Sequence, residues 1–164
     1  MKSQDILILL KIIALEDKPW FHHTLAEDLD ISQSEVTQSL NRSRYAQLID
    51  QERRKVNRKA LYDFLCYGIS YVFPQHPGEI VRGFATAHSA PPLKAMIEST
   101  ENYVWPSAKG NIRGQSVLPI YKSVVKAVQT DTVLYELLAL IDAIRVGKVR
   151  EKEIALAELK KRIC

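Results

Sequence analysis

The stretch that decides the fold is His22–Ile49, which reads HHTLAEDLDISQSEVTQSLNRSRYAQLI. Its apolar residues recur at helical spacing in two blocks separated by a polar turn. The pattern predicts a short helix over Thr24–Leu29 and a longer helix from Ser32 to about Ala46.

Four features of the stretch are typical of a helix-turn-helix. A small residue, Ala26, lies where the two helices have to cross closely. Asp30 is among the residues that tolerate the left-handed backbone of the turn, and Ser32 with Glu35 predicts a capping box that starts the second helix. Apolar anchors stand before, inside and after the turn: Leu29, Ile31, Val36 and Leu40.

The outer face of the second helix carries short polar side chains. With Val36 and Leu40 directed inward, the helical period turns four residues outward: Ser34, Thr37, Gln38 and Asn41. Such side chains can pair with base edges in a major groove. Arg42 and Arg44 are better placed for phosphates. The alternative is an ordinary helix bundle with a polar outer face.

The charge distribution agrees with an anionic partner. The chain has 164 residues and a formal charge of +4, but residues 42–62 alone carry +5 and residues 1–41 carry −4. The basic residues of the positive block are Arg42, Arg44, Arg53, Arg54, Lys55, Arg58 and Lys59. A cluster of this kind is the electrostatic footprint of a polyanion-binding surface, although the charge on its own favours a solvated helix face.

The residues Ile31-Ser32, Val36, Leu40 and Ala46-Gln47-Leu48-Ile49 resemble the recognition-helix unit of winged helix-turn-helix regulators, the MarR-like group in particular. In that group I-S, V and L at the same spacing precede an A-G-L-[IV] ending. The resemblance covers roughly residues 5–60. It implies that the exposed face of the second helix reads bases, which corresponds here to Gln33, Ser34, Thr37 and Gln38.

The chain departs from that family at two places. Gln47 stands where the family usually has a glycine that ends the helix. Only Asp50–Asn57, without a glycine, is available for the wing, so we expect a wing that is short or absent. Arg53, Arg54 and Lys55 are then predicted to contact the DNA backbone from a loop.

The segments around this unit are predicted as follows. Ser3 caps a first helix that ends near Glu16, and apolar residues nearly encircle it, which indicates burial on more than one side. Its apolar run, Ile6–Leu15, has about half the ~20 residues that a membrane span needs. Asn57 caps a later helix that continues through Ile69 and stops at Pro74.

Residues 74–119 contain six of the seven prolines and four of the six glycines, a frequency that forbids long helices. Short strands over Ile80–Thr86 and Ile112–Leu118 are expected there. From Asp131 the helical period returns and predicts a hairpin of two helices around Gly147, the second over Val149–Ile163.

The predicted fold class is therefore mainly α. A winged-helix-like DNA-binding module occupies residues 1–73. Residues 74–164 form a Pro/Gly-rich α/β region and a C-terminal helical hairpin, with a role in dimerisation or partner binding. The first helix and the last hairpin are the expected dimer surfaces.

No pattern for catalysis or for a cofactor stands out. His22 and His23 are adjacent and diverge, His76 and His88 lack partners at metal-ligand spacing, and Cys66 lies in an apolar helix. Phosphate-binding glycine loops and nucleophile elbows are also missing. We expect neither an enzyme nor a cofactor or metal site.

The sequence thus predicts a transcriptional regulator that binds double-stranded DNA as a homodimer on a palindromic operator. The alternative is an autoregulating antitoxin or adaptor whose region from residue 74 onward binds a protein encoded by a neighbouring gene. Two cysteines, Cys66 and Cys164, suit a reducing compartment. With neither an export signal nor a membrane span, a cytoplasmic location is the expectation.

Overall fold

Eight α-helices and three short β-strands make up the fold in the computed structural model, which describes residues 1–164. The helices are α1 (Ser3–Leu15), α2 (His22–Leu29), α3 (Gln33–Tyr45), α4 (Arg58–Tyr67), α5 (Ile69–Val72), α6 (Val124–Ala127), α7 (Thr132–Val146) and α8 (Val149–Ile163). The strands are β1 (Ile80–Ala85), β2 (Tyr103–Pro106) and β3 (Ile112–Ser116). The chain is thus mainly helical, as predicted, and carries one small sheet.

Helix α1 lies at the centre of the protein. Its residues Ile6–Leu10 have no exposed surface, and it packs against α2, α3 and α7. One hydrophobic core of 38 residues extends from Ile6 to Ile163. The predicted burial on several sides is confirmed, but the prediction that α1 forms a dimer surface is wrong, because its apolar residues are already covered within the monomer.

Local signals account for the α2–α3 pair. Asp30 adopts the left-handed backbone (φ 53°, ψ 48°), and the Ser32 hydroxyl accepts a hydrogen bond from the Glu35 backbone N–H at 3.1 Å. The reciprocal half of the predicted capping box is absent, since the Glu35 carboxylate meets the Ser32 hydroxyl, at 3.4 Å, rather than its backbone N–H. The two helices begin and end within two residues of their predicted bounds.

The end of α3 is a left-handed turn at Gln47 (φ 62°). The Gln47 N–H bonds the Arg44 carbonyl at 3.0 Å, and the Leu48 N–H bonds the Ser43 carbonyl at 2.9 Å. Together these bonds form a Schellman ending, in which glycine is the usual residue at the left-handed position. Gln47 therefore adopts the conformation that the family pattern reserves for glycine.

A minimal hairpin follows α3. Ile49 and Val56 form one antiparallel bridge, and the Asn57 N–H bonds the Leu48 carbonyl at 2.8 Å. The connection between them, residues 50–55, is named the 50–55 loop here. The Asp50 carboxylate fixes this loop by accepting hydrogen bonds from the backbone N–H groups of its residues 54 and 55, at 2.6 and 3.1 Å.

Two helix boundaries differ from the predictions. The first helix begins at Ser3 itself, so Ser3 is not its cap; instead the Asp5 carboxylate accepts a hydrogen bond from the Lys2 N–H at 2.8 Å. The single helix expected from Asn57 to beyond Ile69 is divided at Gly68 into α4 and α5. Glycine is a poor helix former, which is consistent with a break at this position.

The three strands close on themselves. Strand β1 pairs antiparallel with both β2 and β3, and β2 pairs parallel with β3. Such a tight closure requires glycine where the backbones meet: a Cβ at Gly83 would lie 2.0 Å from the Trp105 carbonyl oxygen, and one at Gly114 would lie 2.5 Å from that of Asn102. The predicted strands β1 and β3 are confirmed, each shorter at its C-terminal end, whereas β2 was not predicted.

A buried carboxylate in α7 connects the sheet to the helices. Asp142 accepts hydrogen bonds from the Thr86 hydroxyl (2.8 Å), the Trp105 indole N–H (2.6 Å) and the Arg145 guanidinium (2.9 Å). Burial raises the pKa of Asp142 above its ordinary value, against the opposing effects of Arg145 and the other donors. Arg145 also donates to the Phe73 carbonyl at 2.9 Å.

The predicted helical hairpin around Gly147 is confirmed. Its apolar residues on α8, Ala155, Leu159 and Ile163, are buried in the core of the same chain. The solvent side of α8 is polar and includes Glu153 and Lys160. The apolar side of the hairpin is therefore not free for a dimer, contrary to the expectation. None of the eight helices combines the length and the hydropathy that crossing a bilayer requires.

Candidate nucleic-acid interface

A polar stripe runs along the solvent side of α3. Its members Ser34, Gln38 and Asn41 are exposed and follow one another at helical spacing. Gln33, at the first position of the helix, is also exposed. In the free protein the Gln38 amide donates to the Ser34 hydroxyl at 3.3 Å, and this weak bond leaves both groups able to exchange it for a base edge.

Thr37 lies at the border of this stripe rather than on its outside. It is half-buried, and its Oγ1 lies 3.0 Å from Nδ1 of His22 at the start of α2. The prediction that Thr37 faces outward is therefore only partly correct. The N-terminal end of α2 lies against α3 at this point, and His22 covers Thr37.

The 50–55 loop lies directly beside the stripe. The Arg53 guanidinium donates to the Asn41 side-chain oxygen at 2.8 Å, and Arg53 itself has a left-handed backbone (φ 58°). Residues that are twelve positions apart in the sequence thus form one surface. The loop supplies positive charge along one flank of α3.

Arg54 is held against an aromatic ring. Its guanidinium stacks over Trp20 at 4.8 Å from the ring centroid and donates to the Trp20 carbonyl at 2.9 Å. The two loop arginines also act on His22: burial lowers its pKa below the ordinary 6.5, and the positive charges of Arg53 and Arg54 lower it further. A neutral His22 at neutral pH follows from this.

Arg42 does not belong to the interface, contrary to the prediction. Its guanidinium pairs with both carboxylate oxygens of Asp5, with contacts of 2.7 Å to Oδ1 and 3.0 Å to Oδ2. Asp5 has no exposed surface and also accepts a hydrogen bond from the Ser39 hydroxyl at 2.6 Å. Removing Arg42 from this pair would leave a buried charge uncompensated, so we assign Arg42 to the contact between α1 and α3.

The remaining basic residues divide into two groups. Arg44 and Lys55 are exposed and form no ion pair, so their charges are free. Arg58 instead donates to the Ile163 carbonyl at 3.1 Å, and Lys59 pairs with Asp63 at 2.6 Å. The seven-residue basic cluster predicted from the sequence is therefore not one free patch, because Arg58 is bonded to the end of α8 and Lys59 is paired with Asp63 within α4.

The structure adds three residues to the site that the sequence did not indicate, of which only Tyr45 is fully exposed. Tyr45 is 94% exposed and extends the polar stripe by one turn beyond Asn41. His22 is the first residue of α2 and contacts Thr37, and the buried Trp20, two residues before it, contacts Arg54. Helical spacing identifies Tyr45 in retrospect, since it lies four positions after Asn41, but nothing local in the sequence connects Trp20 with the loop.

Other chemical sites find little support in the geometry. No group of three or more His, Cys, Asp or Glu side chains is gathered in a way that could hold a metal ion. His88 is buried, and its Nε2 lies 2.8 Å from the Glu101 carbonyl while its Nδ1 lies 3.8 Å from a Glu151 carboxylate oxygen. Both contacts connect His88 to its own protein, one to the segment before β2 and the other to α8. We therefore assign His88 to the packing of the sheet region against α8.

Comparison of the chain with protein-family models, with curated proteins and with solved structures gives no match. The functional interpretation consequently depends on the geometry of α3 and the 50–55 loop alone.

Proposed function

We propose that the protein is a sequence-specific DNA-binding transcriptional regulator. In this proposal α2 and α3 form a helix-turn-helix, α3 enters the major groove, and the 50–55 loop serves as a reduced wing. The observation that carries the proposal is the exposed polar stripe of α3 with the arginine loop packed directly beside it. A duplex offers base edges in the groove and phosphates along its rim, in the same relative placement.

Base recognition is assigned to Ser34, Gln38 and Asn41. Glutamine and asparagine side chains can form bidentate hydrogen bonds with adenine in the major groove, and serine can pair with several bases. Phosphate contacts are assigned to Arg44, Lys55 and the loop arginines. Because Arg53 donates to Asn41 in the free protein, DNA binding would exchange this internal bond for contacts with the duplex.

The proposal includes a homodimer on a palindromic operator, since a single helix-turn-helix reads only a few base pairs and two-fold symmetry doubles the site. The dimer has to use a surface other than α1, which is buried in the monomer. Sedimentation equilibrium of the protein with and without a selected duplex tests this part: two chains per palindromic duplex support it, and one chain per duplex contradicts it.

Selection from random duplexes followed by fluorescence anisotropy tests the base contacts. The variant Ser34→Ala with Gln38→Ala should bind the selected duplex at least about tenfold more weakly, because each good base contact contributes about 1–3 kcal/mol of discrimination. Its binding to random duplexes should hardly change. The control, Thr100→Ala with Thr132→Ala, removes two exposed hydroxyls away from α3. Equal affinities of the two double variants for the selected duplex would refute base recognition by α3.

A further inference from the structure

A second basic site lies on the sheet. In the antiparallel pairing of β1 with β3, Arg82 is directly opposite Arg113, and both side chains are exposed. Side chains in such a position have Cβ atoms about 4.5–5.5 Å apart, and like charges placed directly opposite destabilise the strand pair. The protein thus keeps two positive charges together where a neutral pair would favour the sheet.

No acidic side chain compensates these two charges. Neither arginine takes part in any ion pair of the structure. On the same face, the neighbouring cross-strand pair is Ile80 with Gln115, which is uncharged. Residues 74–130 as a whole contain six basic and three acidic residues. The surroundings therefore leave the site with a free positive charge.

Close backbone packing lies behind the two arginines. Each is followed by a glycine on the opposite face of its strand, Gly83 after Arg82 and Gly114 after Arg113. Both glycines are buried where the backbone at Trp105 and at Asn102 passes within a distance that excludes any Cβ. This packing behind the strands directs both arginines to solvent and holds the backbone beneath them.

A third positive charge comes from the turn between β2 and β3. The Ser107 N–H bonds the Arg82 carbonyl at 3.0 Å, and the Lys109 N–H bonds the Ser107 hydroxyl at 3.2 Å. In the same turn, the position of Gly110 is in contact with the backbone of Gly83. These bonds hold the turn beside β1, so that the exposed Lys109 lies next to the arginine pair.

We propose that Arg82 and Arg113, assisted by Lys109, bind the phosphodiester backbone of a nucleic acid at a site separate from α3. Guanidinium groups form paired hydrogen bonds to phosphate oxygens. An anion bound between the guanidinium groups of Arg82 and Arg113 also reduces the repulsion between their charges. In this proposal all three groups contact phosphates rather than base edges.

This inference does not depend on base recognition by α3. It requires only that a nucleic acid contacts the sheet, with or without sequence preference. The two proposals consequently give separate results: α3 variants change the preference between duplexes, whereas sheet variants change the affinity for every duplex alike.

The test uses the full-length protein and a fluorescein-labelled 30-base-pair duplex of random sequence, with anisotropy measured over a series of salt concentrations. The variant Arg82→Gln with Arg113→Gln should reduce the magnitude of the slope of log K against log salt by about two, because each phosphate contact contributes about 0.9. The control, Arg150→Gln with Lys160→Gln, removes two exposed charges on α8 that form no ion pair and changes the net charge equally. Its slope should equal that of the wild type.

A charge-preserving variant separates binding from folding. Arg82→Lys with Arg113→Lys should keep most of the slope, since a lysine also neutralises a phosphate. The Gln variant should keep the far-ultraviolet circular dichroism of the wild type and unfold at an equal or higher temperature, because it removes a like-charge pair. Equal slopes for the Gln variant and the α8 control would overturn the inference. Titration with inorganic phosphate, followed by the NMR signals of the arginine side chains, is the second measurement. Saturation of the site with a dissociation constant below about 1 mM would overturn the nucleic-acid assignment.

Discussion

The α3 surface and the sheet surface both present basic side chains to solvent, but the chain forms them in different ways. The exposed polar and basic side chains of the α3 surface come from one continuous segment, Gln33–Lys55, whose caps and turns are set by residues a few positions apart. Only its supporting contacts with Trp20 and His22 come from an earlier part of the chain. The sheet surface joins Arg82 to Arg113, which are 31 positions apart, and depends on two buried glycines and on Asp142 in a distant helix.

This difference has an energetic meaning. A surface formed by local hydrogen bonds tolerates the loss of one of them, since each contributes about 1 kcal/mol. A surface that depends on one buried carboxylate with several donors does not, because loss of the carboxylate leaves all of those donors unsatisfied. We therefore expect loss of Asp142 to disturb the sheet far more than loss of any one local hydrogen bond disturbs the α2–α3 pair. The exception in α3 is its own buried carboxylate contact, in which Asp5 accepts hydrogen bonds from Ser39 and Arg42.

The largest effect is expected for Asp142→Ala. The substitution leaves the Arg145 guanidinium buried without a counter-ion and removes the acceptor of Thr86 and Trp105. The free energy of unfolding should fall by about 3–5 kcal/mol, measured by urea titration with circular dichroism. Asp63→Ala, which removes an exposed carboxylate paired with Lys59, is the control and should change little. If both variants lost equal stability, the sheet would not depend on Asp142 and the contrast would disappear.

A smaller effect, of opposite sign, is expected at the end of α3. Gln47 holds a left-handed backbone that costs an L-residue roughly 1–2 kcal/mol. Gln47→Gly should therefore raise the free energy of unfolding by about 1 kcal/mol, although the added flexibility of the unfolded chain offsets part of the gain. Ala46→Gly, one position earlier at φ −79°, has no strain to relieve and should lower the stability. A loss of stability in both variants would show that the end of α3 is not strained.

The smallest effect is expected for the pH dependence that His22 contributes. The pKa of His22 in the folded protein lies below its ordinary value of 6.5. At pH values between these two pKa values, the unfolded chain therefore binds more protons than the folded protein. The contribution of His22 to the free energy of unfolding should therefore rise with pH up to about 6.5 and then level off, whereas the raised pKa of Asp142 contributes a change of the opposite sign. His22→Gln should remove this rise, whereas His23→Gln, at the exposed neighbouring position, should keep it. Urea titrations between pH 5 and 7.5 measure the difference, and identical pH profiles for the two variants would refute the assignment.

Much of the helical structure could be predicted because its signals are local. The predicted bounds of α8 agree with those of the structure, the Ser32 and Asn57 caps accept the expected backbone hydrogen bonds, and Asp30 adopts the predicted backbone. Each of these features depends on residues no more than four positions apart. Helical spacing was likewise sufficient to place Ser34, Gln38 and Asn41 on the exposed side of α3.

The candidate site was predicted less completely, since its basic residues have partners far away in the sequence. Arg42 pairs with Asp5 from another helix, and Arg58 bonds the backbone of Ile163. The sequence shows that an arginine is positively charged, but not whether its side chain is already bonded to a buried carboxylate or to a distant carbonyl. Strand β2 was missed for a related reason: four residues ending in a proline carry no strand signal until β1 and β3 pair with them.

The sequence alone thus determined the helical segments, their caps, the turn between α2 and α3 and the polar side of α3, since backbone hydrogen bonding and helical periodicity act over a few residues. Only the tertiary structure decided which arginines stay free, that α1 is enclosed rather than shared with a second chain, and that Arg82 meets Arg113. Those outcomes depend on the competition of distant groups for the same buried carboxylates, carbonyls and backbone space. Which of these contacts form depends on how the core packs, so residues a few positions apart in the sequence do not predict them.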